Sequence, residues 1–285
     1  MRAALFALIG LLLACPAEAA ELRLATWNLN WLTLRRAGDS ALPRNVHPRT
    51  SADFAVLKAY ARELDADVVA FQEVDGPEAA AQVFPADTYR IIMTGDDVIQ
   101  HVGFAIRRTL HGTQNPDLTA LDVSQGGFHL RSGADVTLDV DGVKLRLLAV
   151  HLKSGCQRER WTSPRLACED LRAQVPALQG WIAERRREGV PFVLLGDFNR
   201  VMDGRDKMFA ALQADGPLSR ATEGRSSPCW GGDTFIDHII AGGAARGWMD
   251  VASLRILEYR EQDPVWKERL SDHCPVTVRI HLPTP

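Results

Sequence analysis

Past residue 20 this chain has no second long apolar run, no internal repeat and no low-complexity tract. The missing run excludes a helical membrane span beyond the N-terminus. The missing period excludes a solenoid or propeller. Positive charge is not in surplus either, since the formal net charge of the 285 residues is −3. Removing residues 1–20 takes away Arg2 and Glu18 and leaves that charge unchanged. A protein that holds polyanions by bulk charge is thereby excluded, so any polyanion must be met by local arginines and a metal. Cysteine is scarce, with five in all, and no Cys-x-x-Cys or close histidine pair accompanies them. That argues against a zinc site.

The N-terminus reads as an export signal: Arg2, an apolar run from Ala3 to Ala14, then small residues around Ala17-Glu18-Ala19. The run is too short for a hydrocarbon core of ~30 Å, which takes ~20 residues. Cleavage is expected after Ala19 or Ala20, leaving residues 21–285 as a single domain in the periplasm or outside the cell. The competing reading is a lipoprotein anchored through Cys15, with Leu12-Leu13-Ala14-Cys15 as its lipid-attachment box. Without Cys15, four cysteines remain: Cys156, Cys168, Cys229 and Cys274. An even number in an exported chain favours disulfides. Three pairings are open; Cys156–Cys168 would close a small loop, and Cys229–Cys274 would tie two later segments together.

Hydrophobic patterning predicts a first strand over Leu22–Asn28, a loop over 29–50, and a helix capped by Ser51 and running to about Leu64, with Phe54, Leu57, Tyr60 and Leu64 on one face. Strands are predicted at Asp67–Phe71, Val102–Ile106, Val136–Val140 and Val143–Val150, the last two joined by Asp141-Gly142, a type I′ hairpin signal. A helix over Leu166–Arg187 carries Leu171, Val175, Leu178 and Ile182 on one stripe, with Pro176 as a point for a kink. Strands at Pro191–Leu195, Phe235–Ile240 and Pro275–Leu282 complete the list. Strands that come in clusters, with helices between them, indicate an α/β (α+β) fold of two packed sheets between helical layers. A doubly wound parallel sheet is the alternative, disfavoured by the hairpin.

Five short pieces put chemistry at strand ends: Trp27-Asn28, Phe71-Gln72-Glu73-Val74, His151-Leu152-Lys153, Gly196-Asp197-Phe198-Asn199 and Ser271-Asp272-His273. Glu73 follows a buried run, where a carboxylate must be paired, solvated or on a metal. Gly196 permits a sharp bend, after which Asp197 and Asn199 supply a carboxylate and a carboxamide suited to holding a water beside a phosphate oxygen. His273 can act as a general base near neutral pH if a partner fixes its tautomer, and Asp237 is the acid placed to do so. His151 is a second strand-end imidazole. Oxygen ligands without clustered cysteine or histidine suit Mg²⁺, with Mn²⁺ or Ca²⁺ as alternatives. Such ions stabilise charge on phosphoryl oxygens, so the implied reaction is hydrolysis of a phosphate ester by water.

These pieces, in this order, make the chain resemble the endonuclease/exonuclease/phosphatase superfamily from Trp27 to Val276, in particular its pancreatic-deoxyribonuclease-like and exported bacterial members. The resemblance implies a four-layered α/β sandwich whose two central, mostly antiparallel sheets are flanked by helices, with the site at one sheet edge. It implies Glu73 as principal metal ligand with Asn28 and Asp272, and Asp197 and Asn199 orienting water and phosphate. It gives His273, held by Asp237, the part of base or transition-state stabiliser, and His151 that of phosphate contact or acid. Asn30 stands where abasic-site endonucleases carry an acid, and Gln100 where the deoxyribonuclease type carries a glutamate behind the histidine matched by His151. Nucleic acid is the expected substrate, with Lys153, Arg107, Arg200 and Trp230 as substrate contacts, no stable protein partner, and a monomer. A lipid or small-molecule phosphodiesterase, and a non-catalytic binding module, are the alternatives.

Overall fold

The computed structural model describes residues 20–125 and 129–284. The expected leader, and Cys15 within it, lie outside the described residues. The first third of the chain gives strands β1 (Glu21–Leu32), β2 (Val68–Val74), β3 (Tyr89–Met93) and β4 (His101–Arg107). The middle gives β5 (His111–Gln114), β6 (Ala134–Val140), β7 (Val143–His151), β8 (Phe192–Asp197), β9 (Ser219–Arg220) and β10 (Asp237–Gly242), and the end gives β11 (Met249–Ile256) and β12 (Val276–His281). Two six-stranded sheets result, ordered β11-β12-β1-β2-β4-β3 and β5-β6-β7-β8-β10-β9. Each has one parallel pair near its middle, β1–β2 and β7–β8; the other neighbours are antiparallel.

Alternation along the strands sets the layers. Leu24, Val68 and Phe104 from the first sheet meet Val136, Leu147, Val193 and Ile239 from the second in a core between the sheets. The neighbouring positions Ala25, Trp27, Val69 and Phe71 face outward onto Leu57, Tyr60 and Leu64 of helix α1 (Ser51–Leu64) and Ala79 and Val83 of α2 (Pro77–Val83). On the other side Leu148, Val150, Leu194 and Ile240 meet Leu171, Val175 and Leu178 of α3 (Leu166–Glu188) and Met208 and Phe209 of α4 (Lys207–Leu212). Two short helices, α5 (Ala245–Trp248) and α6 (Trp266–Arg269), lie near the C-terminal strands. The result is the helix–sheet–sheet–helix sandwich expected from the motifs.

Several local details differ from the sequence reading. Thr50, not Ser51, caps α1, because its hydroxyl accepts from the Asp53 N–H while the Asp53 carboxylate accepts from the Thr50 N–H, a closed capping box. Pro176 does not interrupt α3, and it sits on the helix's exposed side. The strand expected from Phe235 begins at Asp237, with Phe235 packed into the inter-sheet core. The Asp141-Gly142 hairpin forms as expected, with φ of 51° and 85°.

The largest difference is at β1, which continues to Leu32 instead of ending at Asn28. It does so through left-handed backbone at Asn30 (φ 44°) and Trp31 (φ 57°), with a break in register against β2. A tryptophan in that region is strained and persists only where its surroundings hold it. Here the Asn28 side-chain oxygen accepts from the Asn30 N–H at 2.9 Å, and Glu73 accepts from the Trp31 N–H at 3.2 Å.

Candidate active site

Strand direction alone gathers the strand-end groups. Because β7 and β8 are parallel, His151 pairs directly with Asp197; because β10 runs antiparallel to β8, its first residue, Asp237, pairs with Asp197 from the other side. In the first sheet β1 and β2 are parallel and end together, bringing Asn28 beside Gln72 and so next to Glu73. Strand β12 runs antiparallel to β1 with Val276 opposite Thr26, so the preceding residues 271–274 emerge at that same edge. Gly196 is required for this convergence. Its φ is 151°, and a Cβ there would lie 2.0 Å from the Val150 carbonyl oxygen of β7.

The side chains close into one network. Asn28 Nδ2 donates to Glu73 Oε1 and to Asp197 Oδ2, both at 3.1 Å. Asp197 Oδ1 accepts from the Asn199 N–H at 2.7 Å, and Asn199 Nδ2 donates to the Leu152 carbonyl at 3.0 Å. His273 Nδ1 meets Asp237 Oδ2 at 2.7 Å, which turns its Nε2 toward Asp197 Oδ2, 3.8 Å away. His151 Nε2 lies 3.5 Å from Glu73 and 3.7 Å from Asp197. Ser271 ties the first and last pieces together: its hydroxyl donates to the Asn28 carbonyl at 2.7 Å and accepts from the His273 N–H at 3.0 Å. Behind His273, the buried Tyr259 accepts from Trp27 Nε1 and donates to the His273 carbonyl, both at 2.9 Å.

Burial and charge split the two imidazoles. Burial works against charge on His273, but the Asp237 carboxylate, with Asp197 and Asp272, overrides it and holds the pKa well above the ordinary value. His273 is therefore an imidazolium at neutral pH. Burial, then the nearby Arg131 and His273, push His151 well below its ordinary value, so it stays neutral. Asp197 is pushed up to about 7, first by burial and then by Asp237 and Glu73, against the pull of His273 and the Asn199 N–H. The site thus pairs a fixed cation with a carboxylate that can take a proton near neutral pH.

Oxygen donors at this edge suit a hard cation: the Glu73 carboxylate is partly open to solvent, and Asp272 is exposed. Asp197, Asp237 and His273 also cluster tightly enough to ligate an ion. However, Asp237 Oδ2 and His273 Nδ1 are committed to each other at 2.7 Å, which makes that trio a proton-handling group and leaves Glu73 and Asp272 as the ligand candidates. Asn28, also expected as a ligand, donates from Nδ2 to the two carboxylates and so spaces them, while its oxygen accepts from the Asn30 N–H.

Two expected substrate contacts stand elsewhere. Arg107 ends β4, which runs antiparallel to β2, so it lies beside Asp67 at the opposite end of the sheet from Glu73, about 20 Å away at ~3.3 Å per residue. There it pairs with Asp65 at 2.7 Å and Asp67 at 3.1 Å. Arg200 is buried; it pairs with Asp206 at 2.8 Å and donates to the carbonyls of Cys156 and Glu159, bracing the loop after β7. Lys153 stands on that loop, and Trp230 lines the cleft beside His273 between Tyr259 and Lys267. Both disulfides form, Cys156–Cys168 and Cys229–Cys274.

Gln100 does not reach His151. It accepts from Arg131 at 2.8 Å, and His151 Nδ1 is buried without a partner among the described residues. Arg131 itself escaped the sequence reading, since it stands in a stretch with no strand pattern. It is buried, and Glu73 and Asp197 lie in its field.

A cleft of about 340 Å³ opens beside His273, lined by Gln157, Trp230, Asp233, Lys267 and Asp272. Residues 25–273 match the family model described as Endonuclease/Exonuclease/phosphatase family. Among solved structures, truncated Caenorhabditis elegans TDP2 aligns over 92% of this chain and 98% of its own at 15% identity, with a TM-score of 0.60. D. rerio TDP2 complexed with single strand DNA product aligns over 91% and 98% at 16% identity, TM-score 0.59. The human Nocturnin catalytic domain with bound sulfate anion aligns over 91% and 93% at 15% identity, TM-score 0.60. No curated protein matches the sequence.

Proposed function

This chain belongs to the endonuclease/exonuclease/phosphatase family, a family of metal-dependent phosphodiesterase and nuclease-type hydrolases, and we propose that it is an exported nuclease that cleaves DNA or RNA with Mg²⁺. The observation that carries the reading is the Asp237–His273 pair at 2.7 Å, aimed at Asp197 beside Glu73. Glu73 and Asp272 would hold the ion, which supplies Lewis-acid stabilisation of charge on the phosphoryl oxygens. Asp197 accepts the proton of the attacking water, and the Asn199 N–H fixes its carboxylate while it does so. His273, already protonated, faces the developing phosphorane charge and is kept in that state by Asp237. His151, neutral and buried, donates from Nε2 to a phosphate oxygen.

Export is supported by the N-terminal charge and apolar pattern and by the two disulfides, which persist in oxidising compartments. No described helix is long and apolar enough to cross a membrane. Nucleic acid is supported by the polar cleft with Lys267 and Trp230, and by the single-strand DNA product on a fold relative. The large exposed apolar side chains among the described residues are Leu34, Leu166, Val251 and Val265. The protein is read as a monomer without a stable protein partner.

The test is purified mature protein with plasmid DNA, RNA, sphingomyelin and bis(p-nitrophenyl) phosphate, each with Mg²⁺, Mn²⁺, Ca²⁺ or chelator. Metal-dependent cleavage of DNA or RNA is expected. Turnover of the lipid with none of nucleic acid overturns the substrate reading. His273→Ala should lose several orders of magnitude in rate; a loss under about tenfold, ~1.4 kcal/mol, overturns its role.

A further inference from the structure

Arg49 stands outside the network of strand-end groups, yet it holds the backbone on both sides of it. The side chain is buried, and its guanidinium donates to three carbonyls: Nη1 to Trp31 at 3.0 Å, and Nη2 to Leu29 at 2.9 Å and Leu270 at 2.8 Å. No carboxylate pairs with it among the described residues, and its Nε is buried without a partner there. Burial brings its pKa down to about 10, against the pull of Tyr259, Glu73 and Asp272, so the cation persists at neutral pH. A buried cation without a paired carboxylate is costly, so the contacts it does make must offset that cost.

The three carbonyls belong to the two segments that present the ligand candidates. Leu29 and Trp31 flank Asn30 in the left-handed stretch of β1, and the Trp31 N–H donates to Glu73 Oε2 at 3.2 Å. Trp31 thus accepts from Arg49 and donates to Glu73. On the other side, Leu270 opens the Ser271-Asp272-His273 piece. The Asp272 side chain makes no hydrogen bond among the described residues, so its place is set by its backbone. That backbone is held by Ser271, whose hydroxyl donates to the Asn28 carbonyl, and by Arg49 at Leu270. Docking of α1 does not by itself require Arg49, because Asp53 in the first turn already pairs with Arg269 at 2.6 Å. What the guanidinium adds is a link from that segment across to β1. Its planar fork spans acceptors that a compact ammonium does not.

We infer that Arg49 is a positioning residue that fixes the spacing between Glu73 and Asp272, and through that spacing the affinity for the divalent cation. The inference rests on those two carboxylates being the ligands.

Titration of the purified protein with Mn²⁺ alone, followed by electron paramagnetic resonance, tests it without turnover. Groups that orient metal ligands contribute about 10–100-fold to affinity, so folded Arg49→Lys should bind Mn²⁺ at least about tenfold more weakly than wild type. Arg185→Lys is the control: Arg185 is as deeply buried but pairs with Glu188 on α3, so this variant should lose stability and keep wild-type affinity. Glu73→Gln should lose the ion. Folded Arg49→Lys with affinity within about twofold of wild type, while Glu73→Gln fails to bind, overturns the inference and leaves the ligand assignment standing. Unchanged affinity in Glu73→Gln overturns both. A comparable loss in Arg185→Lys also overturns the inference, since general loosening would then account for the effect. Should Arg49→Lys fail to fold, wild type decides by NMR. Coupling is reciprocal, so saturating Mg²⁺ should slow exchange of the Arg49 guanidinium protons by about tenfold or more. Unchanged exchange overturns the inference.

Discussion

Replacing Asp237 with asparagine isolates the charge that holds His273 protonated. The two groups meet at 2.7 Å, both largely buried, and Asp237 Oδ1 has no partner among the described residues. An asparagine can therefore keep its carbonyl on His273 Nδ1 and place its amide where Oδ1 was, so that the tautomer survives and only the charge is lost. A hydrogen bond to a charged group contributes about 1.5–3 kcal/mol. At ~1.4 kcal/mol per pKa unit, His273 should drop by about one to two units. The raised pKa means the imidazolium is fully present at low pH and is lost as pH rises through the folded value. The alkaline limb of kcat/KM should thus move to lower pH by at least one unit in Asp237→Asn. The pair's contribution to stability follows the same sign: it is complete below ~6.5, the unperturbed histidine value, and fades above the folded pKa. The assay is a pH profile on bis(p-nitrophenyl) phosphate at saturating Mg²⁺, with the His273 ring followed by NMR. A folded variant whose alkaline limb and ring titration match wild type refutes the charge argument.

Three further outcomes follow from the geometry. Arg200→Ala should destabilise by about 3–5 kcal/mol in urea unfolding, by stranding Asp206, while KM in the folded fraction stays near wild type; a raised KM with unchanged stability would restore Arg200 as a substrate contact. Removing the Cys229–Cys274 bridge, which closes a separation of 45 residues, should cost about 4 kcal/mol by loop entropy and reduce kcat, because Cys274 adjoins His273; urea unfolding and rates of the double serine variant read both. The metal-free protein should lose stability relative to Asp197→Asn as pH rises from the ordinary carboxylate range through about 7, since a carboxylate with a raised folded pKa favours the fold only while protonated; parallel melting curves across that window would contradict it.

The sequence carried the site further than it carried the surroundings. Asn28, Glu73, His151, Asp197 and His273 were each legible because a buried strand ends in a polar group only for a reason, and topology then placed all five at one edge. Partnerships between distant surfaces were not legible. Nothing in the order of residues says that Arg107 faces Asp65 and Asp67, or that Arg200 spans from Asp206 to the Cys156 loop. The β1 bulge was hidden for another reason: Asn30 and Trp31 take their backbone shape from Asn28 and Glu73, so the site shapes the strand as much as the strand presents the site.

The position of β1 has a consequence for the order in which the enzyme comes into being. The first strand of the described chain lies between β2, made soon after it, and β12, made last. A nascent chain can pair β1 with β2 and bring Asn28 to Glu73 early, and even complete the second sheet with His151, Asp197 and Asp237 in place. His273 arrives only when the C-terminal strand inserts into the middle of the first sheet. Every partial product of translation or proteolysis that lacks this last stretch is thus without its imidazolium, and catalysis waits on completion of the polypeptide.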